Sequence, residues 1–230
     1  MRANVESAFE ASIVEYLAGH GWVQGDPSEY SRPLGLAHAE LVRFVEATQP
    51  KEWAKLSALH GPRVVEKFGK RVAQEVTARG TVDVLRRGVK DLGVTIKLAF
   101  FAPAHDLTPE LRELFEANRL TVSRQVHHSE SNPLDSVDLM LFINGLPVAT
   151  AELKTQTAGQ SLADAKRQYR EDRNAKDLVF AHRCVVHFAV DQDAVAMTTR
   201  LAGEDTAFLP FNQGSNGPGR DGGKGNPTNP

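Results

Sequence analysis

The sequence has a single cysteine, almost no net charge and no long apolar run. Cys184 is alone in 230 residues, so an internal disulfide and a Cys/His zinc site are excluded and a reducing compartment is expected. Because Cys184 opens the apolar run Cys-Val-Val-His-Phe-Ala-Val, we interpret it as a buried thiol rather than a nucleophile. A formal net charge of −2 gives no global attraction for nucleic acid, so any such binding requires a local basic patch.

Membrane and nucleotide-binding signals are also missing. No stretch approaches the roughly 20 apolar residues that a membrane span requires. The first residues, Met-Arg-Ala-Asn-Val-Glu-Ser, lack the apolar region of a signal peptide. We therefore expect a cytoplasmic protein with no membrane partner. The glycine-rich tail fails as a P-loop, because Pro218 replaces the first glycine and Gly225 follows Lys224 where Ser or Thr is required. The eight histidines show no metal-ligand spacing, and we interpret them as surface or satisfied core residues.

What is present is the pattern of an α/β protein. Apolar residues at helical spacing predict a helix over 4–18, followed by helices over 36–47, 52–60, 62–79 and a short one capped by Thr81. Strand and turn patterns then predict strands over 94–101, 120–128, 183–190 and 194–199, a hairpin over 137–155, and helices over 108–118 and 161–173. This order predicts a central mixed β-sheet flanked by helices, with a helical elaboration at about 36–90.

The end of the chain has a different composition. From Asn212 onward the sequence is rich in Gly, Asn and Pro and has almost no apolar residues. Such a segment cannot bury a core, so 212–230 is expected to be a flexible linker or tail. The folded domain is accordingly predicted to span 1–211.

The most informative stretch runs from Asp138 to Lys154. Asn144-Gly145 separates two apolar, β-rich segments, which strongly predicts a hairpin. Side chains alternate along a strand, so Glu152 and Lys154 are expected on one face with Leu153 directed into the core. Pairing across the hairpin would bring Asp138 within reach of them. Two carboxylates beside an ammonium can hold a hard cation next to a group that positions water, as in a metal-dependent phosphodiesterase.

A simpler explanation is open for these residues. Glu-x-Lys is common by chance, and charges on strands often just face solvent. The placement of charge inside very apolar strands favours a site, because an unpaired charge is costly there.

A basic helix follows the proposed site. It carries four positive side chains that could contact phosphates, with a glutamine and a tyrosine able to donate hydrogen bonds. Those residues are Lys166, Arg167, Gln168, Tyr169, Arg170 and Arg173. The alternative is a solvated helix face neutralised by Asp164, Glu171 and Asp172.

With these motifs in order, the chain resembles the PD-(D/E)XK nuclease superfamily. It is most similar to the amino-terminal nuclease region of the R (restriction, or motor) subunit of type I restriction-modification enzymes. The similarity extends over residues 4–214, through the stretches 6–10, 47–53, 117–126, 138–154, 168–173, 186–200 and 209–214. Two positions depart from the pattern. Val137 replaces the proline of Pro-Asp, and Ala165 stands where many relatives have the Gln of Gln-x-x-x-Tyr.

The resemblance implies a restriction-endonuclease-like core and a Mg²⁺-dependent endonuclease that hydrolyses DNA without its own sequence specificity. Asp138 and Glu152 would hold the metal, with the backbone carbonyl of Leu153 as a further ligand. Lys154 would orient or activate the attacking water. Glu10, in preference to Glu6, would join the metal shell from the first helix.

The resemblance also implies partners. The intact protein would carry an ATP-driven translocase on double-stranded DNA beyond the 212–230 linker, so ATP would be used by the full-length subunit and not by this chain. It would act with a DNA-recognition subunit and a methyltransferase subunit. Two alternatives stay open: an inactive nuclease fold that serves as a DNA-binding or subunit-docking module, and an unrelated α/β protein with a chance match.

Overall fold

A computed structural model describes residues 2–105 and 108–212, with side chains from residue 6 onward. Its strands are β1 (Val23–Gln24), β2 (Val89–Asp91), β3 (Val94–Ile96), β4 (Leu120–His127), β5 (Ser136–Ile143), β6 (Leu146–Leu153), β7 (Val186–Val190), β8 (Val195–Thr198) and β9 (Leu209–Pro210). Seven of them form one sheet in the order β1-β4-β5-β6-β7-β8-β9, and β2 pairs with β3 separately. The sheet is mixed, because β1 runs parallel to β4 and β6 runs parallel to β7.

Helices flank this sheet, so the predicted mixed α/β architecture is confirmed. They are α1 (Arg2–Ala18), α2 (His38–Thr48), α3 (Pro50–His60), α4 (Val64–Arg79), α5 (Thr81–Arg87), α6 (Pro109–Glu116) and α7 (Leu162–Arg167). Within the described ranges no helix is long and apolar enough to cross a membrane.

The predicted hairpin is present and forms the centre of the sheet. Strands β5 and β6 pair antiparallel and are joined by Asn144 and Gly145, whose φ values of 52° and 82° are those of a type I′ turn. The turn sets the register of the pairs next to it, and a β-bulge between Leu141 and Phe142 shifts the pairing by one residue beyond them.

The two faces of the sheet bury separate clusters. Helix α1 covers one face, where Val14 packs with Leu139, Ala151 and Leu153. The chain from α7 onward covers the other face, where its side chains pack with Val126, Val137, Met140 and Ala189. Such alternation along β5 and β6 is expected for strands covered on both sides.

The helical elaboration packs on the turn end of the hairpin. Helices α2 to α5 share a cluster that includes Leu36, Leu41 and, from β6, Leu146. The Ala37 N–H donates to the Gly145 carbonyl at 2.9 Å. A Cβ on Gly145 would lie 2.4 Å from the Ala37 oxygen, so this close approach requires glycine.

Several predicted elements are wrong in extent or place. The strand predicted over 94–101 is only β3, which lies outside the main sheet. The helix predicted over 161–173 ends at Arg167 and continues as a π-helical turn, Gln168–Asp172. Thr81 does not cap α5, because its hydroxyl donates to the Arg183 carbonyl. Strands β1, β2 and β9 were not predicted. Of the predicted tail, residues 213–230 lie outside the described residues.

Candidate active site

The hairpin brings Asp138 and Glu152 to the same end of the sheet. Leu139 pairs with Ala151 across β5 and β6, so the next residues toward that end are Asp138 and Glu152. Oδ2 of Asp138 accepts a hydrogen bond from the Leu153 N–H at 2.7 Å. The Asp138 carboxylate is therefore fixed against the backbone of the strand that carries Glu152.

Glu152 is an interior carboxyl group with one unsatisfied oxygen. Its exposed fraction is 0%. Oε1 accepts a hydrogen bond from Nε of Arg173 at 2.7 Å, whereas Oε2 is buried with no hydrogen-bond partner among the described residues. Burial, reinforced by the negative charge of Asp138, raises the pKa of Glu152 to about 8. An unpaired, buried carboxylate oxygen is costly, so a cation at this position would relieve an unfavourable charge.

Arg173 supports the site from inside the protein. Its side chain is only 7% exposed, and besides Glu152 it donates from Nη2 to the Ser136 carbonyl at 2.7 Å. It thus ties Glu152 to the start of β5. This location corrects the expectation that Arg173 faces a DNA backbone, because its side chain is largely buried and donates from Nε and Nη2 within the protein.

Lys154 is the first residue after β6. Its N–H donates to the Val190 carbonyl at 2.9 Å, and its side chain is partly buried. The positive charge of Lys154 acts to lower the pKa of Glu152, against the larger effect of burial. The structure thus brings Asp138, Glu152 and Lys154 to one end of the hairpin, with Leu153 buried between the last two as predicted.

Glu10 lies near the site but is held by other residues. It is 5% exposed, and its Oε2 accepts from Nε and Nη2 of Arg124 at 3.0 and 2.9 Å. Its Oε1 accepts from Nε2 of Gln125 at 2.8 Å, and the same nitrogen donates to Oδ1 of Asp138 at 3.0 Å. Glu10 is therefore connected to Asp138 through Gln125, with both of its oxygens already engaged.

The donor set can be compared with what a metal requires. In the part of the chain that the structure describes, no group of three or more His, Cys, Asp or Glu side chains is placed to hold a metal ion. Mg²⁺ needs fewer protein ligands, since it is commonly bound through one or two carboxylates and retains several waters. Asp138 and Glu152, with the carbonyl of Leu153, are the candidates for such a set. The unpaired Oε2 of Glu152 is the observation that fits a cation there.

The predicted DNA-contacting residues are divided between surface and core. Arg167 is exposed and pairs with Asp164 at 2.7 Å, with 61% of its side chain accessible. Arg170 donates to the Thr206 carbonyl at 3.0 and 3.1 Å. Both Lys166 and Arg170 lie over the ring of Phe208.

Tyr169 and Gln168 point inward. Tyr169 is 0% exposed, and its hydroxyl is 2.8 Å from the Thr150 Oγ1. Gln168 has a buried Oε1 without a partner among the described residues. The expectation that Tyr169 reaches a phosphate is therefore corrected, because Tyr169 lies on the same buried face as Leu162 and Ala165.

Sequence reasoning missed the roles of Gln125 and Ser136. Gln125 has a left-handed φ of 50° within β4, and the Ser136 hydroxyl donates to its Oε1 at 3.0 Å. A non-glycine residue in this region is strained by about 1–2 kcal/mol. Nothing in the local sequence indicates a left-handed glutamine, so only the tertiary structure exposes it.

Comparison with known proteins identifies the family. The family model described as type I restriction enzyme R protein N terminus matches residues 6–206 of the chain, which includes every candidate residue above. Comparison with curated proteins gives no match. The matched range covers most of the 230 residues. The chain therefore belongs to the family of type I restriction enzyme R protein N termini.

Proposed function

We propose that this chain is the Mg²⁺-dependent DNA endonuclease domain of a type I restriction enzyme, with a PD-(D/E)XK-type core. Family membership supports a nuclease region of a complex that acts on DNA. The observation that carries the finer proposal is that two carboxylates lie at one end of the hairpin. Asp138 is fixed there by the Leu153 N–H, and Oε2 of Glu152 is buried without a hydrogen-bond partner among the described residues.

The reaction would be hydrolysis of a phosphodiester. Water adds to phosphorus while the bond from phosphorus to the leaving sugar oxygen breaks; the water loses a proton to solvent, and the leaving oxygen takes up a proton from solvent to become a hydroxyl. A bound Mg²⁺ would neutralise phosphoryl charge and lower the pKa of water. Asp138 and Glu152 would hold that ion with the Leu153 carbonyl. Lys154 would orient the water or a phosphate oxygen by donating hydrogen bonds from its Nζ atom.

The wider assembly is part of the same proposal. The DNA-recognition and methyltransferase subunits would supply sequence choice, and an ATP-driven motor elsewhere in the full-length subunit would supply movement on DNA. The alternative, an inactive DNA-binding or docking module, is favoured by the lack of a three-ligand group among the described residues.

Calorimetric titration with Mg²⁺ and Mn²⁺ tests the proposal, alongside plasmid nicking by the chain. The parent is expected to bind a divalent ion and to nick plasmid, whereas Asp138→Asn and Glu152→Gln are expected to lose both metal binding and nicking. Lys154→Met is expected to keep metal binding and lose nicking. Glu66→Gln is the matched control, because Glu66 is a surface carboxylate paired with Arg63 and Lys70. A parent that binds no divalent ion would contradict the proposal and favour the docking module.

A further inference from the structure

The backbone of β4 is interrupted at Gln125. Arg124 pairs with Leu139 and Val126 pairs with Val137, so Gln125 stands opposite Asp138 between two regular pairs. Its φ of 50° is left-handed, a conformation that glutamine rarely adopts. Strain of this kind persists only where the surroundings enforce it, and such positions concentrate at functional sites.

The interruption changes which face each strand presents. Val122 packs in the cluster under α1, whereas Val126, four residues later, packs in the opposite cluster. Residues four apart on a regular strand would share a face. The same exchange occurs on β5, where Val137 and Leu139 pack in opposite clusters. Gln125 and Asp138 therefore lie at the point where both strands change faces.

The Gln125 side chain uses both of its N–H donors and its amide oxygen at this point. Its amide nitrogen has two N–H groups, and it donates to Oε1 of Glu10 and to Oδ1 of Asp138. Its carbonyl oxygen accepts from the Ser136 hydroxyl. The amide thus separates two carboxylates that would otherwise repel each other, and it ties α1 to the candidate site.

Glu10 has a different part in this arrangement. Arg124 donates twice to Oε2 of Glu10 and neutralises its charge, and Gln125 donates to Oε1, so Glu10 anchors the amide. Asp138, in contrast, accepts one bond on each oxygen from uncharged donors. The hydrogen bond from Leu153 holds the other oxygen of Asp138. The Asp138 carboxylate is therefore fixed from two sides, by Gln125 and by the backbone of β6.

We propose that Gln125 is a positioning residue that fixes the Asp138 carboxylate through its side-chain amide. Glu10 anchors this amide, and the left-handed backbone at Gln125 allows the amide to contact both carboxylates. The proposal rests on the proposed function for its catalytic consequence. Its structural content, the immobilisation of Asp138, is independent of metal and can be measured without it.

The test compares substitutions that treat backbone and amide differently. Gln125→Gly removes the amide while accommodating the positive φ without strain. Gln125→Asn keeps an amide on a residue that tolerates this conformation, with a shorter reach. Leu92→Gly is the matched control, because Leu92 also has a positive φ of 45° and is 60% exposed in the turn between β2 and β3.

The first readout is hydrogen exchange of the Leu153 amide, followed by NMR on the metal-free chain. Because this N–H donates to Asp138, a loosened Asp138 should expose it. We expect faster exchange in Gln125→Gly, an intermediate rate in Gln125→Asn and the parent rate in Leu92→Gly. Parent-like exchange in a folded Gln125→Gly would overturn the proposal. Ser136→Ala, which frees only the amide carbonyl, should give a smaller change in the same direction and serves if the glycine variant fails to fold.

The second readout is affinity for Mn²⁺, measured by calorimetry on the same proteins. Loss of a residue that orients a metal ligand typically weakens metal binding about 10–100-fold, so Gln125→Gly should fall in that range and Leu92→Gly should match the parent. Unchanged affinity in a folded Gln125→Gly would also contradict the proposal. A parent that binds no Mn²⁺ would contradict the proposed function alone, and the exchange rates would still decide whether Gln125 positions Asp138.

Discussion

The two ends of the β5–β6 hairpin differ in how they treat polar groups. At the turn end, Asn144 is left-handed, and its side chain accepts from the Arg119 N–H and donates to the Leu98 carbonyl. At the other end, Gln125 is left-handed within a strand, and Glu152 has a buried oxygen without a partner among the described residues. At the turn end, the backbone conformation suits the residue and the polar side chain is hydrogen-bonded. At the other end, a strained backbone and an unpaired buried oxygen are retained, as is typical of functional sites.

The same contrast applies to local sequence. Asparagine before glycine favours a left-handed turn, so Asn144 follows its own preference. Glutamine has no such preference, and Gln125 is held by contacts with Glu10, Asp138 and Ser136. The turn end is therefore encoded locally, and the carboxylate end depends on residues distant in sequence.

The largest expected effect is at the turn end. Gly145→Ala would place a Cβ 2.4 Å from the Ala37 oxygen and 2.7 Å from the Leu41 nitrogen. Backbone strain of about 1–2 kcal/mol plus overpacking of about 1–3 kcal/mol predicts a loss of unfolding free energy of roughly 4 kcal/mol, measured by urea denaturation. Gly93→Ala is the control, because its φ is 86° with nothing within 4 Å of the added Cβ. Equal losses of unfolding free energy in both variants would mean that close packing against α2 is not the reason why position 145 requires glycine.

The next effect is at the carboxylate end. Arg173→Met removes the donor to Glu152 and to the Ser136 carbonyl. Leaving a buried charged hydrogen bond unmade predicts a loss of about 2–3 kcal/mol of unfolding free energy. Arg63→Met, which breaks a surface pair with Glu66, should cost less than about 1 kcal/mol. A comparable cost for both would mean that the Arg173–Glu152 pair contributes no more than a surface pair.

The next effect, smaller than these over any single pH unit, concerns pH. The folded-state pKa of Glu152 is raised from 4.5 to about 8, so between these values the unfolded chain has released a proton that the folded chain retains. Stability should therefore fall as pH rises through this window, by at most about 1.4 kcal/mol per pH unit for one proton, and level off above it. Urea denaturation at several pH values, with Glu152→Gln as reference, isolates this contribution. A parent whose stability follows that of Glu152→Gln throughout this pH window would contradict the raised pKa of Glu152.

The smallest effect concerns DNA. If Arg167 contacts a phosphate, Arg167→Ala should flatten the dependence of log K on log salt by about 0.9, equally for all sequences. Arg87→Ala on the helical elaboration is the control, because this side chain is similarly exposed at 77% and lies on α5. An unchanged slope for Arg167→Ala would mean that Arg167 contacts no phosphate and only faces solvent.

Much of the fold could be predicted from the sequence. The Asn144-Gly145 turn, the strand over 120–128 and the first helix follow from local patterns, and each is present. The strand predicted over 94–101 failed because Val94–Ile96 pairs only with the short β2. Its residues Ile96 and Leu98 are buried against the helical elaboration instead, so hydrophobicity alone could not tell the two locations apart.

The candidate site could be predicted only in part. Spacing from the hairpin turn predicts that Asp138 and Glu152 lie at one end, but their level with each other depends on a β-bulge between Leu141 and Phe142 that the spacing does not reveal. The partners of these carboxylates come from residues without a local signal: Arg173 follows a π-helical turn and Gln125 requires a left-handed backbone.

The central claim is that Asp138 and Glu152 together hold a divalent cation. The most direct measurement is anomalous diffraction from crystals of this chain soaked with Mn²⁺. The account predicts one strong peak within coordination distance of an Asp138 carboxylate oxygen and of Oε2 of Glu152, absent in crystals of Glu152→Gln. No peak at this end of the hairpin under saturating Mn²⁺, or a peak that persists without the Glu152 carboxylate, would contradict it.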